Sequence, residues 1–338
     1  MPLPDTAYTE LRDGYRTCKI LNGMWQVSGA HGKIDPAAAL DSMRKYHDAG
    51  FTTWDLADHY GPAEDIIGLF RTALASEKSN AELSNVQAFT KWVPRPGSMH
   101  RAKVEKAINV SLKRMQVDQL DMLQFHWWDY GNDAYLDALR HMADMIDEGM
   151  IKFLSLTNFD TKRLEIILNH GIDIVSNQVQ FSVVDRRPEQ LMAPFAEKHG
   201  VKLFTYGSIC GGLISERYLG APEPGFSKLN TASLRKYKNM IDAWGGWALF
   251  QQLLKELSSI AKAHHVQIPQ VAAKYILEKS AVAGVIIGVR LGIKDHFKEN
   301  QQIFSFEIEH DEIERIDAIT RQANDLMKII GDCGDEYR

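Results

Sequence analysis

Cysteine is scarce in this sequence: three in 338 residues, at Cys18, Cys210 and Cys333. They are far apart, odd in number and match no zinc-ligand spacing, so neither a disulfide framework nor a structural zinc site is expected. A reducing, cytoplasmic setting is the natural expectation. No apolar run approaches the roughly 18 residues that read as a membrane span. The opening "MPLPDTAYTELRDG" lacks the basic region and apolar stretch of a signal peptide. An excess of one charge is also missing. Lys and Arg number 39 against 44 Asp and Glu, a net charge of −5. That leaves no electrostatic footprint for nucleic acid or anionic lipid. Nothing demands more than a monomer or a weak homo-oligomer. No GxGxxG follows any strand candidate, which argues against a doubly wound dinucleotide fold. Low-complexity tracts and short-period repeats are absent.

What remains is an ordinary globular composition, 45% hydrophobic and 25% charged. Short apolar, β-branched runs alternate with longer helical patterns. The strand candidates are "TCKILNGMW", "GFTTWDLA", "NVQAFTKW", "DQLDMLQFHW", "MIKFLSLTN", "DIVSNQVQ", "GVKLFTYG" and "VAGVIIGV". Several are nearly all apolar, as parallel strands covered on both faces must be. Between them, "DPAAALDSMRKYHDAG" offers Asp35 as N-cap, Pro36 at the first helical position and Gly50 as a stop. Val104, Ile108, Leu112 and Met115 form one apolar stripe at helical spacing. "DAYLDALRHMADMIDEG", "DTKRLEIILNHG" and "RPEQLMAPFAEKHG" repeat the plan, each closing on Gly. Eight such alternations predict an α/β fold, a (β/α)8 TIM barrel, over residues 1–338 as one domain. Residues 8–20 read as an N-terminal β-hairpin around Asp13-Gly14. Residues 211–268 form a long insertion between strands seven and eight, and 324–338 a C-terminal tail.

In such barrels, sites lie at the C-terminal ends of the strands. The expected rim therefore carries Asp55, Asp58, His59 and Tyr60, then Lys91 and Trp92, then His126, Trp127 and Trp128. It continues with Thr157 and Asn158, Asn177 and Gln178, Tyr206 to Ser208, and Gly288 to Arg290. Taken singly, Lys91 reads as a solvated strand tip, His126 as a core histidine and Asp55 as a turn cap. Their convergence on one rim points to proton chemistry. A free phenol has a pKa of about 10. A nearby ammonium stabilises phenolate, and a carboxylate holds that ammonium charged and aimed. No set of His, Cys and carboxylates has metal-ligand spacing, so no metal is expected. His264 and His265, at a helix end, are expected to be solvated.

These stretches resemble the aldo-keto reductase superfamily over nearly the whole chain. "WDLADHYGPAEDIIG" is similar to the segment that carries a catalytic Asp and, five residues later, a catalytic Tyr: here Asp55 and Tyr60. "FTKW" and "QFHWWD" resemble the segments of the catalytic Lys and His, here Lys91 and His126. "SLTNFD", "NQVQFSVVDRRPE", "FTYGSICGGLIS" and "IIGVRLGIKDHFKEN" resemble the cofactor-binding stretches, in family order. The resemblance implies NAD(P)H-dependent reduction of an aldehyde or ketone, or the reverse reaction. Tyr60 would be the acid, Lys91 would lower its pKa, Asp55 would fix Lys91, and His126 would orient the carbonyl or relay a proton. A cofactor-bound regulatory subunit with little turnover is the alternative within the same family.

The resemblance also implies the cofactor path. Gly23, Met24, Trp25 and Asp55 would border it. Thr157, Asn158 and Gln178 would hold the carboxamide, and Tyr206 would stack on the ring. Gly207, Ser208, Ile209, Gly211 and Leu213 would follow the dinucleotide. Gly288, Val289, Arg290, Lys294, His296, Glu299 and Asn300 would wrap the adenosine end. Trp25, Trp92, His126 and Trp127 would line the substrate pocket. Gly207 departs from a usual Ser, and His296 from a common Arg. Arg290 and Lys294 favour NADP(H), with NAD(H) possible. Asp58 and His59 are expected to shape the loop. Specificity is expected in the loop after His126, the insertion and the tail "MKIIGDCGDEYR".

Overall fold

The computed structural model describes residues 3–29, 34–76 and 85–338. Ten strands are named in chain order. β1 (Tyr8–Glu10) and β2 (Arg16–Cys18) pair antiparallel, Tyr8 opposite Cys18 and Glu10 opposite Arg16. β3 (Ile20–Gly23), β4 (Thr53–Asp55), β5 (Gln87–Trp92), β6 (Leu120–Phe125), β7 (Ile151–Thr157), β8 (Ser176–Gln180), β9 (Lys202–Tyr206) and β10 (Val282–Gly288) close into a parallel barrel. β10 pairs back onto β3, with Gly288 opposite Gly23. The eight strands expected from the apolar runs are these eight, so the (β/α)8 architecture and the preceding hairpin stand.

Helices lie between the strands. α1 (Pro36–Asp48) starts at Asp35, whose carboxylate accepts from the Ala37 amide at 3.1 Å. α2 (Ala63–Ala75) follows the β4 loop, with Pro62 as N-cap. α3 (Arg101–Met115), α4 (Tyr135–Asp147), α5 (Thr161–Asn169) and α6 (Met192–His199) follow β5 to β8. Asp160 caps α5 through the Arg163 amide at 2.6 Å. The 211–268 insertion contains α7 (Ala232–Trp244) and α8 (Gly246–Ala263). α9 (Ile268–Leu277) leads into β10. α10 (Phe297–Gln301), α11 (His310–Thr320) and α12 (Leu326–Ile330) complete the chain.

Strand alternation divides the barrel interior into two halves. At the N-terminal end, Leu21, Phe89, Met122, Phe153, Val175 and Phe204 pack together. The hairpin region closes that end: Leu11 is buried with them, and the Tyr15 ring meets Phe153 edge-on at 5.1 Å. Thr17 Oγ1 lies 2.9 Å from Thr53 Oγ1, tying β2 to β4. Two residues further along the same inward rows come Asp55, Lys91 and Gln124, with Gln178 two beyond Ser176. The interior is thus apolar below and polar above. Burying that polar half is tolerable only where its groups pair.

His264 departs from expectation. Its Nε2 lies 2.8 Å from a Glu312 carboxylate oxygen, and its ring packs on Phe306 at 4.9 Å. Helix α11 returns to α8 and covers what the local sequence leaves polar and open.

Candidate active site

The upper half of the barrel holds one buried charge pair. Lys91 Nζ donates to both oxygens of Asp55, at 2.7 and 2.6 Å, and to the Leu56 carbonyl at 3.0 Å. Burial pushes the Lys91 ammonium down from its usual range, and Asp55 pulls it back up. Gln124 and Gln178 each donate to Asp55 Oδ1, at 3.0 and 2.7 Å, and Gln178 Nε2 also donates to Gln124 Oε1 at 2.6 Å. The carboxylate therefore has a full set of donors, which is what keeps it fixed. The sequence reading missed Gln124. Its signal was available: one polar residue inside the apolar "DMLQFHW", two before His126 and so on the same strand face.

Tyr60 sits over this pair, its ring centroid 5.2 Å from Lys91 Nζ. Burial raises the phenol well above its usual pKa, and the nearby Asp55 adds to the rise. Lys91 was expected to lower it. The Lys91 ammonium is engaged by both Asp55 oxygens, and burial keeps the phenol protonated.

His126 is buried beside them. Its Nδ1 lies 3.1 Å from the Thr157 carbonyl. A carbonyl only accepts, so Nδ1 carries the hydrogen and Nε2 holds a lone pair. Nε2 is buried with no hydrogen-bond partner among the described residues. Burial lowers the imidazole pKa to about 4, so the ring is neutral at pH 7. The Trp128 ring meets it edge-on at 4.4 Å.

Two tryptophans fall elsewhere than expected. Trp92 packs on Phe125 at 5.5 Å, and Trp127 on Phe125 at 5.9 Å and Tyr135 of α4 at 6.5 Å. Both belong to the core outside the barrel. Each directly follows an inward residue, Lys91 or His126, and alternation turns it outward. The Trp127 indole N–H is consumed by the Asp129 and Asn132 carbonyls. Trp128 takes the place beside His126. Trp25 is half-buried at the end of β3.

Asp58 and His59 lie on the β4–α2 loop. Asp58 donates its amide to the Lys91 carbonyl at 2.9 Å, and its side chain accepts from the Val93 amide at 3.3 Å. His59 Nδ1 is 2.9 Å from Asp58 Oδ1. This pair stitches the loop to the end of β5.

The residues expected along a cofactor path lie around the same end of the barrel. Thr157 and Asn158 end β7, and Asn158 adopts φ 59°. Tyr206 Oη is 2.8 Å from Asn158 Oδ1. Ser208 donates to the Phe181 carbonyl at 3.0 Å, and Leu213 is buried. Ile209 is half-buried, and Gly211 (φ 62°) packs close to α7. Gly23 accepts from the Val289 amide at 3.0 Å, while the Met24 amide donates to Asp55 at 2.9 Å. Past Gly288, Arg290 and Lys294 are exposed, and neither has an ion-pair partner among the described residues. His296 lies 3.7 Å from Glu299, and burial lowers its pKa. Asn300 Nδ2 and Gln26 Oε1 are buried without partners among the described residues, as is His126 Nε2. Polar atoms left open along this rim fit a polar dinucleotide better than an apolar ligand. Among the described residues, no group of three or more His, Cys, Asp or Glu is placed to hold a metal.

Comparison with known proteins agrees with the geometry. The Aldo/keto reductase family model matches residues 19–321. Aldo-keto reductase YhdN of Bacillus subtilis (strain 168) is 25% identical over 214 residues, 62% of this chain and 63% of that protein. Flagellar radial spoke protein 5 of Chlamydomonas reinhardtii is 31% identical over 180 residues, 48% of this chain and 34% of that protein. The chain thus spans less than two thirds of either relative. The solved structure of the glycerol dehydrogenase AKR11B4 from Gluconobacter oxydans has a TM-score of 0.78 at 18% identity, covering 97% of this chain and 98% of that one. An aldo/keto reductase from Klebsiella pneumoniae in complex with NADP and acetate has a TM-score of 0.69 at 17% identity, covering 93% and 95%. Both structural likenesses show the same barrel. With its family motifs in order, its closed eight-stranded barrel and a family match across 19–321, the chain belongs to the aldo/keto reductase family.

Proposed function

We propose that this chain is an NAD(P)H-dependent reductase of aldehydes or ketones, with Tyr60 as the proton donor. The observation that carries the reading is the Asp55–Lys91 pair beneath Tyr60, next to a neutral imidazole with an open, buried Nε2. The cofactor supplies the hydride to the carbonyl carbon.

The chain's own residues do the rest. Tyr60 is protonated at neutral pH and so donates a hydrogen bond to the carbonyl oxygen. As that oxygen gains alkoxide character it becomes far more basic than phenolate, and the proton moves from Tyr60 despite the raised pKa. Lys91 offsets the phenolate so formed, and Asp55 keeps Lys91 charged and aimed. His126 accepts a hydrogen bond at Nε2, from the phenol or from the product hydroxyl. Its Nδ1 hydrogen is committed to Thr157, so a neutral His126 does not donate to the carbonyl. Thr157, Asn158 and Gln178 would hold the carboxamide of the cofactor, and Tyr206 would stack on its ring. Arg290 and Lys294, without ion-pair partners among the described residues, favour NADP(H), since a guanidinium is a permanent, forked phosphate partner.

The test is oxidation of NADPH and of NADH over a panel of aldehydes, ketones and sugars. Carbonyl-dependent oxidation with NADPH ahead of NADH is expected. A folded protein that binds NADPH yet reduces nothing would replace this reading with the regulatory-subunit one.

A further inference from the structure

Arg187 is the least exposed arginine of the molecule's rim, and no part of the mechanism uses it. It stands on the loop leaving β8, is 2% exposed, and spends its guanidinium in two directions. Nε and Nη2 take the two oxygens of Asp185, each at 2.8 Å. Nη1 donates to the Gly331 and Asp332 carbonyls at 3.3 and 3.1 Å, and Nη2 reaches Glu336 Oε2 at 3.0 Å. The second set all belongs to the segment after α12. Burying such a network costs desolvation that the attraction barely offsets. What a planar, forked cation adds is fixed geometry between two pieces of chain.

That segment crosses the barrel mouth. Gly334, at φ 85°, lies so close to β7 that a Cβ there would sit 2.0 Å from the Asn158 carbonyl oxygen. Arg338 donates to the Asn158 and Trp127 carbonyls at 2.9 and 3.1 Å. Between these anchors Tyr337 faces inward. Its ring meets His126 at 6.2 Å and Trp128 at 6.3 Å, both edge-on. Its hydroxyl lies 3.2 Å from Tyr206 Oη and accepts from Lys236 of α7. The imidazole with the open Nε2 therefore has Trp128 on one side and Tyr337 on another.

We propose that Arg187 is a positioning residue that pins residues 331–338 across the mouth, and that Tyr337, so held, restricts the site to carbonyls with small substituents. The size restriction rests on the reductase reading above; the pinning does not. A carbonyl approaching Tyr60 and His126 meets the Trp128 and Tyr337 rings that pack against His126. Tyr337 is held there by its own hydroxyl contacts and by the Glu336–Arg187 bond one residue away.

Three variants of the full chain test this: Tyr337→Ala, Glu336→Gln and Arg187→Lys. The last keeps a cation for buried Asp185, so the fold survives, but it loses the fork that also reaches residues 331–336. With NADPH, kcat/KM is measured for propanal and 2-naphthaldehyde. The naphthaldehyde-to-propanal ratio is expected to rise about tenfold in Tyr337→Ala, the scale of discrimination an apolar pocket wall achieves. Smaller rises in the same direction are expected in the other two, carried by KM more than by kcat. Separately, without substrate or cofactor, diethyl pyrocarbonate labelling of His126 is followed by peptide mass spectrometry. It is expected to be faster in all three variants. Unchanged ratios in folded variants overturn the size restriction, and unchanged labelling overturns the pinning. A wild type that reduces neither aldehyde nor the wider panel overturns the reductase reading and the size restriction together. The labelling rate still decides the pinning in that case, faster labelling upholding it.

Discussion

At the scale of single residues, the site turns on three groups whose ionisation is set by burial. Tyr60 is held protonated, Lys91 is drawn down by desolvation and back by Asp55, and His126 is held neutral. Tyr60→Phe removes the proton and little of the shape. Cofactor affinity is expected to stay within a few-fold while kcat falls about 10²- to 10⁴-fold, the usual worth of a positioned general acid. Stopped-flow turnover near wild type in a folded variant would sink the assignment. His126 links to stability. Its folded pKa of about 4 lies below the ordinary 6.5, so between those values the unfolded chain binds a proton that the folded chain refuses. Stability is therefore full above about pH 6.5 and declines as pH falls towards 4, by up to about 3 kcal/mol from this one group. Urea midpoints at pH 7 and 4.5 for wild type and His126→Asn give the difference. Equal acid losses in both proteins would refute the link.

Elements decide where the backbone can go. The loop after β9 packs against α7, and Gly207 shows how tightly. It holds φ 75°, and a Cβ there would meet the Tyr237 hydroxyl at 2.5 Å. This is a physical reason for glycine here: the neighbouring helix occupies the space. Gly207→Ala is expected to cost about 1–3 kcal/mol, from the left-handed backbone and the overlap together. An unchanged urea midpoint would contradict that. The loop after β10 presents Arg290 with no ion pair among the described residues, so Arg290→Ala is expected to weaken NADPH much more than NADH. Fluorescence titrations that show equal losses for both cofactors would remove Arg290 from 2′-phosphate recognition. Elements also show where resemblance is insufficient. The inward rows of β5 and β6 are legible from alternation, and alternation itself turns Trp92 and Trp127 outward. Resemblance assigned them to the pocket; the pleat places them in the outer core.

The whole molecule separates a closed apolar floor from a polar mouth. The hairpin closes one end and residues 331–338 cross the other. All three cysteines are buried and free. Burial raises the Cys18 and Cys210 thiols to about 12, which suppresses the thiolate that would react. Thermal unfolding with and without a thiol reductant is therefore expected to give one midpoint. A shift of several degrees would point to a disulfide or an oxidised thiol that this arrangement does not contain.

Local pattern was enough for the eight barrel strands, the hairpin, the helix cap at Asp35, and the rim positions of Asp55, Lys91 and His126. These follow from periodicity and from the covalent order of strand and helix, which act over a few residues. Three things needed the folded chain. The charge balance around Tyr60 depends on how Asp55, Lys91, Gln124 and Gln178 share hydrogen bonds across four strands. The tautomer of His126 depends on the Thr157 carbonyl of the neighbouring strand. The cover over the mouth depends on Arg187 meeting Glu336, 149 positions apart in the chain. Contacts between such distant residues leave no local period, because neither partner's neighbours are shaped by the other until the barrel has closed.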